Sequence, residues 1–279
     1  MDKTVLIPTD GSEYSTISLE YGIHLARAIG ARIRGLCIID IKVIQGPLLD
    51  DISGFTGIST SQDVVLLIEK SLNERADAIL KSFHDRCGSG GVEAETIKRT
   101  GIVSEIIVEE AEGADCILMA QRGEHTAFIR RGLLGSTSES VVRMSGKPVI
   151  ITPLEYREIR GLGLAYDGSG AAERALDIAA DMAGTAGWPL SVISISGDPD
   201  HTRDLQARID AALSGGETAY TVTIRDGKEE QEIISFTETP GVDMLIMGAY
   251  GHSRIRELIL GSTTSYVIRN STIPVLLIR

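Results

Sequence analysis

A loop in the C-terminal half reads Gly248-Ala249-Tyr250-Gly251-His252-Ser253-Arg254-Ile255-Arg256-Glu257-Leu258-Ile259-Leu260-Gly261-Ser262-Thr263. Two glycines with two residues between them, a nine-residue spacer and Gly-Ser-Thr follow an apolar run and open a helical one. Gly248 and Gly251 leave the backbone bare, so a ligand can come close. Gly261, Ser262 and Thr263 start a helix, where unpaired N–H groups and the positive end of the dipole suit phosphate. Two carboxylates stand at comparable strand ends: Asp10 after Val5-Leu6-Ile7-Pro8-Thr9, and Asp167 after Gly163-Leu164-Ala165-Tyr166. Each precedes Gly-Ser at a strand-to-helix turn, so each suits a cap as well as a ligand contact. Arg254 and Arg256, with Arg130 and Arg131 upstream, are either phosphate partners or solvated side chains. His125 and His252 sit beside the loops without an acid placed for a triad. Neither G-x4-G-K-[ST] nor G-x-S-x-G nor H-x-G-H occurs, so Walker-type hydrolysis, a nucleophile elbow and one adenylyl-transfer chemistry have no support.

These motifs occur twice in one order, the mark of a tandem duplication. Leu134-Gly135-Ser136-Thr137 and Lys147-Pro148-Val149-Ile150-Ile151 are answered by Leu260-Gly261-Ser262-Thr263 and Ile273-Pro274-Val275-Leu276-Leu277. Asp10 and Asp167 are 157 positions apart but Gly135 and Gly261 only 126, so the second copy is 31 residues shorter between them. The deletion corresponds to residues 45–60, a Gly- and Ser-rich surface excursion. In the first copy the leading glycine is Ala120, and eleven residues instead of nine separate Gly123 from Gly135. On this spacing alone the two loops should bind unequally, the second more tightly.

Apolar runs alternate with amphipathic stretches through both copies, which predicts βαβαβαβαβ twice. That alternation demands parallel strands, right-handed crossovers and helices on both faces. The expected division is residues 1–153 and 154–279, joined by a short polar linker around 152–160. The apolar terminal strands 148–152 and 274–278 would each leave an unpaired edge if exposed, so they are expected to pair antiparallel within the chain. Ligands of such sheets sit beyond the strands' carboxyl ends, where the Asp residues and glycine loops fall.

The 279 residues suit two domains, and aromatics make up only 4%, so both cores must be aliphatic. A net charge of −12 argues against a nucleic-acid or anionic-membrane surface. There is no run of about 18 apolar residues, so no membrane span is expected. The start carries no secretory pattern, and Cys37, Cys87 and Cys116 have no metal-ligand spacing, which together suggest a cytoplasmic protein with reduced thiols.

Asp after the first strand, G-x2-G-x9-G-S-T after the fourth and a terminal Pro-Val-Leu-Leu-Ile strand resemble the universal stress protein family, across nearly the whole chain and twice. The resemblance implies two tandem open five-stranded parallel sheets of order 3-2-1-4-5, a Rossmann-like α/β fold. It also implies ATP as a sensing or regulatory ligand, lying at the junction of strands 1 and 4 with a bridging Mg or Mn ion. Adenine would meet the Asp and the backbone after strand 2, and the phosphates would follow the glycine loop and last helix. Carried over, the second site comprises Asp167, Ile195, Gly248, Gly251, Gly261, Ser262 and Thr263. The first comprises Asp10, Ile38, Ala120, Gly123, Gly135, Ser136 and Thr137. A nucleotide-free scaffold that pairs with itself or a partner, and a slow adenine-nucleotide hydrolase, remain the alternatives.

Overall fold

The structure, a computed structural model, describes residues 3–42, 62–123, 135–216, 218–249 and 260–279, with only the backbone for residues 62–64. The excursion expected at 45–60, both loop spacers, Gly251 and the four spacer arginines lie outside the described residues. The first half runs β1 (Thr4–Pro8), α1 (Glu13–Ile29), β2 (Arg32–Asp40), α2 (Gln62–Ser89), β3 (Ala94–Gly101), α3 (Val103–Ala111), β4 (Cys116–Ala120), α4 (Ser136–Met144) and β5 (Val149–Thr152). The second runs β6 (Leu162–Ala165), α5 (Gly170–Ala186), β7 (Leu190–Ile195), α6 (Pro199–Leu213), β8 (Tyr220–Arg225), α7 (Glu229–Thr237), β9 (Met244–Gly248), α8 (Ser262–Asn270) and β10 (Val275–Ile278).

Local chemistry sets the same boundaries in both copies. The Ser12 side chain accepts from Ser15 N, and Ser169 from Ala172 N, so α1 and α5 begin with matching N-caps. Gly30 and Gly187 end those helices at φ 67° and 69°, the left-handed cap that lacks a Cβ penalty. The 31-residue deletion shows in the second crossover, where α2 has 28 residues and α6 has 15.

The two expected sheets are halves of one. Ten strands run in the order β3-β2-β1-β4-β5-β10-β9-β6-β7-β8, so each half has the order 3-2-1-4-5 and the halves join at β5 and β10. That junction is antiparallel, with Val275 opposite Ile151, Leu276 opposite Ile150 and Leu277 opposite Val149. Within each half the strand pairs are parallel. Successive side chains point to opposite faces, so the junction feeds two cores. Ile150 and Leu276 join a cluster that includes α1, α5 and α6 residues, whereas Val149, Ile151, Val275 and Leu277 join one that includes α3, α4, α7 and α8 residues. Both cores cross from one half into the other.

The linker is docked. Tyr21 Oη donates to Glu155 O (3.0 Å) and accepts from Arg157 N (2.9 Å). A His24 ring nitrogen lies 2.8 Å from Ile159 O, the same ring stacks on Trp188, and the Ile159 side chain is fully buried. Three further bonds close the junction: Gln121 Nε2 donates to Ile268 O near the end of α8, and Arg279 donates to Arg143 O and Ser145 O at the end of α4. Among the described residues no helix is long and apolar enough to cross a membrane.

Replacing Val275 and Leu277, 1% and 2% exposed, with lysine places two unpaired charges in a core shared by both halves. The double variant should lose more than about 3 kcal/mol, and its Tm in a thermal scan should drop by roughly 10 °C or more; an unchanged Tm would show that the junction does not hold the halves together.

The three cysteines are free thiols. Burial opposes the thiolate and pushes Cys37 and Cys87 up to about 11 and Cys116 to about 12, from an ordinary 9.0. Native protein at mildly alkaline pH should therefore react with iodoacetamide on the order of 100-fold more slowly than unfolded chain. Folding favours the protonated thiols, so this contribution to stability is complete below pH 9 and disappears as pH rises through the folded values; urea titrations across that window read the loss.

Candidate functional site

In each half the first and fourth strands send the chain to opposite faces of the sheet. α1 follows β1 onto one core, and α4 follows β4 onto the other. A crevice must open between them, at the carboxyl ends of the strands. The first half has a cavity of about 320 Å³ there. All seven candidates of that half line it: Asp10, Ile38, Ala120, Gly123, Gly135, Ser136 and Thr137. The second half has a cavity of about 420 Å³, lined by Asp167, Ile195, Gly248, Gly261, Ser262 and Thr263. Both volumes fall in the range of small-molecule sites. Because the halves meet antiparallel, their strands run in opposite directions and the two cavities open at opposite ends of the sheet.

Asp10 Oδ1 accepts from Ser12 N and Asp167 Oδ1 from Ser169 N, each at 2.9 Å. The intervening glycines, Gly11 at φ 77° and Gly168 at φ 74°, allow this tight turn. In both copies the carboxylate thus closes an Asx turn onto the N–H of the serine that caps the helix. In the first half Asp10 Oδ2 faces Gly123, where an added Cβ would lie 3.1 Å from it.

The last helix of each half supplies the other wall. Gly135 and Gly261 are the N-cap residues of α4 and α8, and neither helix start has a side-chain cap. Their first-turn N–H groups and the Ser-Thr hydroxyls stand at the cavity, the arrangement that binds anions at helix starts. Both helices are pinned to the preceding strand: Ser138 Oγ donates to Ala120 O (2.8 Å) and Thr264 Oγ1 to Ala249 O (3.0 Å). A Cβ at Gly261 would meet nothing closer than 3.6 Å, so a larger side chain is free to point into the cavity.

Gly248 also has a packing reason beside the close ligand approach that its spacing suggests. A Cβ there would sit 3.1 Å from Ala171 Cβ and 3.4 Å from Ala172 N, so the bare backbone lets α5 start close to β9. In the first half Ala120 carries that methyl, buried at 9% exposure.

Several lining residues carry no loop motif. Apolar walls come from Val103, Ile107 and Met119 in the first cavity and from Ile233 and Met247 in the second. Charged ones are Asp40 and Arg122 in the first, and Glu229 in the second. Thr263 Oγ1 donates to Glu229 Oε2 at 3.4 Å. Val103 and Glu229 are the first residues of α3 and α7 and lie 126 positions apart, the same offset as Gly135 and Gly261. That alignment was the available signal, hidden because the helix after the third strand passes for an ordinary amphipathic one. Tyr166, also in the second cavity wall, is held by Glu173, which Arg208 also meets, and burial with that bond pushes its phenol well above the usual range.

Each cavity thus brings together apolar walls, a strand-end carboxylate and an uncapped helix start. Among the described residues no three His, Cys, Asp or Glu side chains gather to hold a metal ion.

Comparison with known proteins agrees with the duplication. A profile of the universal stress protein family matches residues 1–153 and again 159–279. A universal stress protein of Synechocystis is 30% identical over 99% of this chain and 100% of its own length. One from Methanocaldococcus jannaschii is 42% identical over 54% of this chain and 94% of its own. The crystal structure of a universal stress protein from Archaeoglobus fulgidus superposes with a TM-score of 0.77 at 28% identity, covering 98% of this chain and 95% of that one.

Proposed function

The chain belongs to the universal stress protein family, and from that premise we propose that it is a cytoplasmic protein whose two halves each hold an adenine nucleotide as a sensing or regulatory ligand in a stress response. The units of binding are residues 1–153 and 154–279. The observation that carries this reading is the meeting, in each half, of an uncapped helix start and a strand-end carboxylate across one apolar-walled cavity. ATP is the nucleotide that the family resemblance implies. Its base would lie against Ile38 or Ile195 near the Asp, and its phosphates along Gly135-Ser136-Thr137 or Gly261-Ser262-Thr263. A Mg or Mn ion would bridge the phosphates and offset their charge.

Heating the full chain with and without Mg-ATP tests this. At a tenfold excess over the dissociation constant, binding to the folded state adds about 1.4 kcal/mol, which raises Tm by roughly 3–6 °C. Gly261→Val should melt like the wild type without ligand, since its Cβ has room. Combined with Gly135→Val it should abolish the shift, because both side chains fill the space where phosphate would meet backbone. No stabilisation by ATP, ADP or AMP would contradict the proposal.

A further inference from the structure

Duplication gives each cavity its own control. The two agree in the Asp turn, the uncapped helix and the hydroxyl pair, and both spacers carry two arginines. They differ at the start of the third crossover helix. Val103 lines the first cavity; its counterpart in the second is Glu229, whose carboxylate accepts from the Thr263 hydroxyl at 3.4 Å. They differ again beyond the fourth strand. Arg122 lines the first cavity, and the residue aligned with it in sequence is Tyr250. The described lining of the first cavity thus has Asp10, Asp40 and Arg122; that of the second has Asp167 and Glu229 and no Lys or Arg.

We infer that the two cavities have diverged in ligand, the first taking the nucleoside triphosphate and the second an adenine ligand with less phosphate charge, adenosine or its monophosphate, with Glu229 as the discriminating residue. This rests on the adenine-nucleotide reading above. A phosphate oxygen within hydrogen-bond reach of Thr263 Oγ1 would lie within about 6 Å of the Glu229 carboxylate and would compete with it for the single hydroxyl proton. Like charges at that separation repel, and the repulsion grows with each phosphate. The same carboxylate accepts hydrogen bonds, which ligand hydroxyls can donate. Specificity of this kind works by rejecting the competitor as much as by attracting the ligand. For a triphosphate it reverses the ranking that loop spacing alone suggests.

Titration calorimetry of the full chain with Mg-ATP, AMP and adenosine tests the inference, using Glu229→Val, Glu229→Gln and Val103→Glu. Glu229 is exposed, and Glu230 and Glu232 keep the first turn of α7 acidic, so the variants at 229 should fold. Wild type should show one ATP site and a second that binds adenosine or AMP at least tenfold more tightly than ATP. Glu229→Val and Glu229→Gln should each tighten ATP at the second site tenfold or more while changing adenosine less than threefold. Val103→Glu should weaken ATP at the first site by a similar factor. Raising salt from about 50 to 500 mM should shrink the discrimination, as it must for an exposed charge. Two equal ATP sites in the wild type, or an ATP-to-adenosine ratio untouched by either Glu229 variant, overturns the inference and leaves nucleotide binding standing. Failure of all three ligands to bind wild type removes the adenine reading and this inference with it.

Discussion

The antiparallel pairing of β5 with β10 is the constraint on which the rest of this molecule depends. Either half alone would end in a short apolar strand with an open row of backbone donors and acceptors, a template for aggregation. Pairing the two ends removes both edges at once. It also fixes the geometry, because an antiparallel junction between two parallel half-sheets imposes a pseudo-twofold relation. The cavities, tied to strand carboxyl ends, must then face opposite ways. Alternation along Val149–Thr152 and Val275–Ile278 sends neighbouring side chains into different cores, so both cores run through the junction. Separating the halves would expose both at once.

The two copies solve the same local problems and then part. The Asp10 and Asp167 turns and the Ser12 and Ser169 caps match to within a tenth of an ångström. Outside the turns the environment is rebuilt. Gly11 abuts Ile79 of α2, whereas Gly168 abuts Leu205 and Arg208 of α6, and Arg208 Nη2 donates to Gly168 O. Thr9 hydrogen-bonds Ser15, while Tyr166 in the same place bonds Glu173 beneath Arg208. The first turn is thus backed by an aliphatic side chain, and the second by a network of Arg208 and Glu173.

Much of this was legible in the sequence because the signals were local. Capping serines, helix-ending glycines and apolar runs sit next to what they control, and each element was expressed twice. Strand alternation with helices calls for parallel strands joined by right-handed crossovers, while the order 3-2-1-4-5 came from the family resemblance. The candidate residues converged because a strand end and a helix start must border the switch point. What stayed hidden depends on residues distant in sequence. That Gly248 makes room for Ala171, that Tyr21 and His24 dock the linker, and that Glu229 reaches Thr263 are contacts across 77, more than 130 and 34 positions. Periodicity carries no trace of such pairs. Gly251 and the spacer arginines lie outside the described residues.

The central claim is that an adenine ring sits between the strand-end Asp and the end of the second strand. Photolabelling with 8-azido-ATP, followed by peptide mapping, reads the position of the ring directly. The account predicts labelling that unlabelled ATP suppresses, on peptides containing Asp10 or Ile38, or their counterparts Asp167 or Ile195. Label that ATP does not suppress, or that maps to the linker or the outer helices instead, would contradict it.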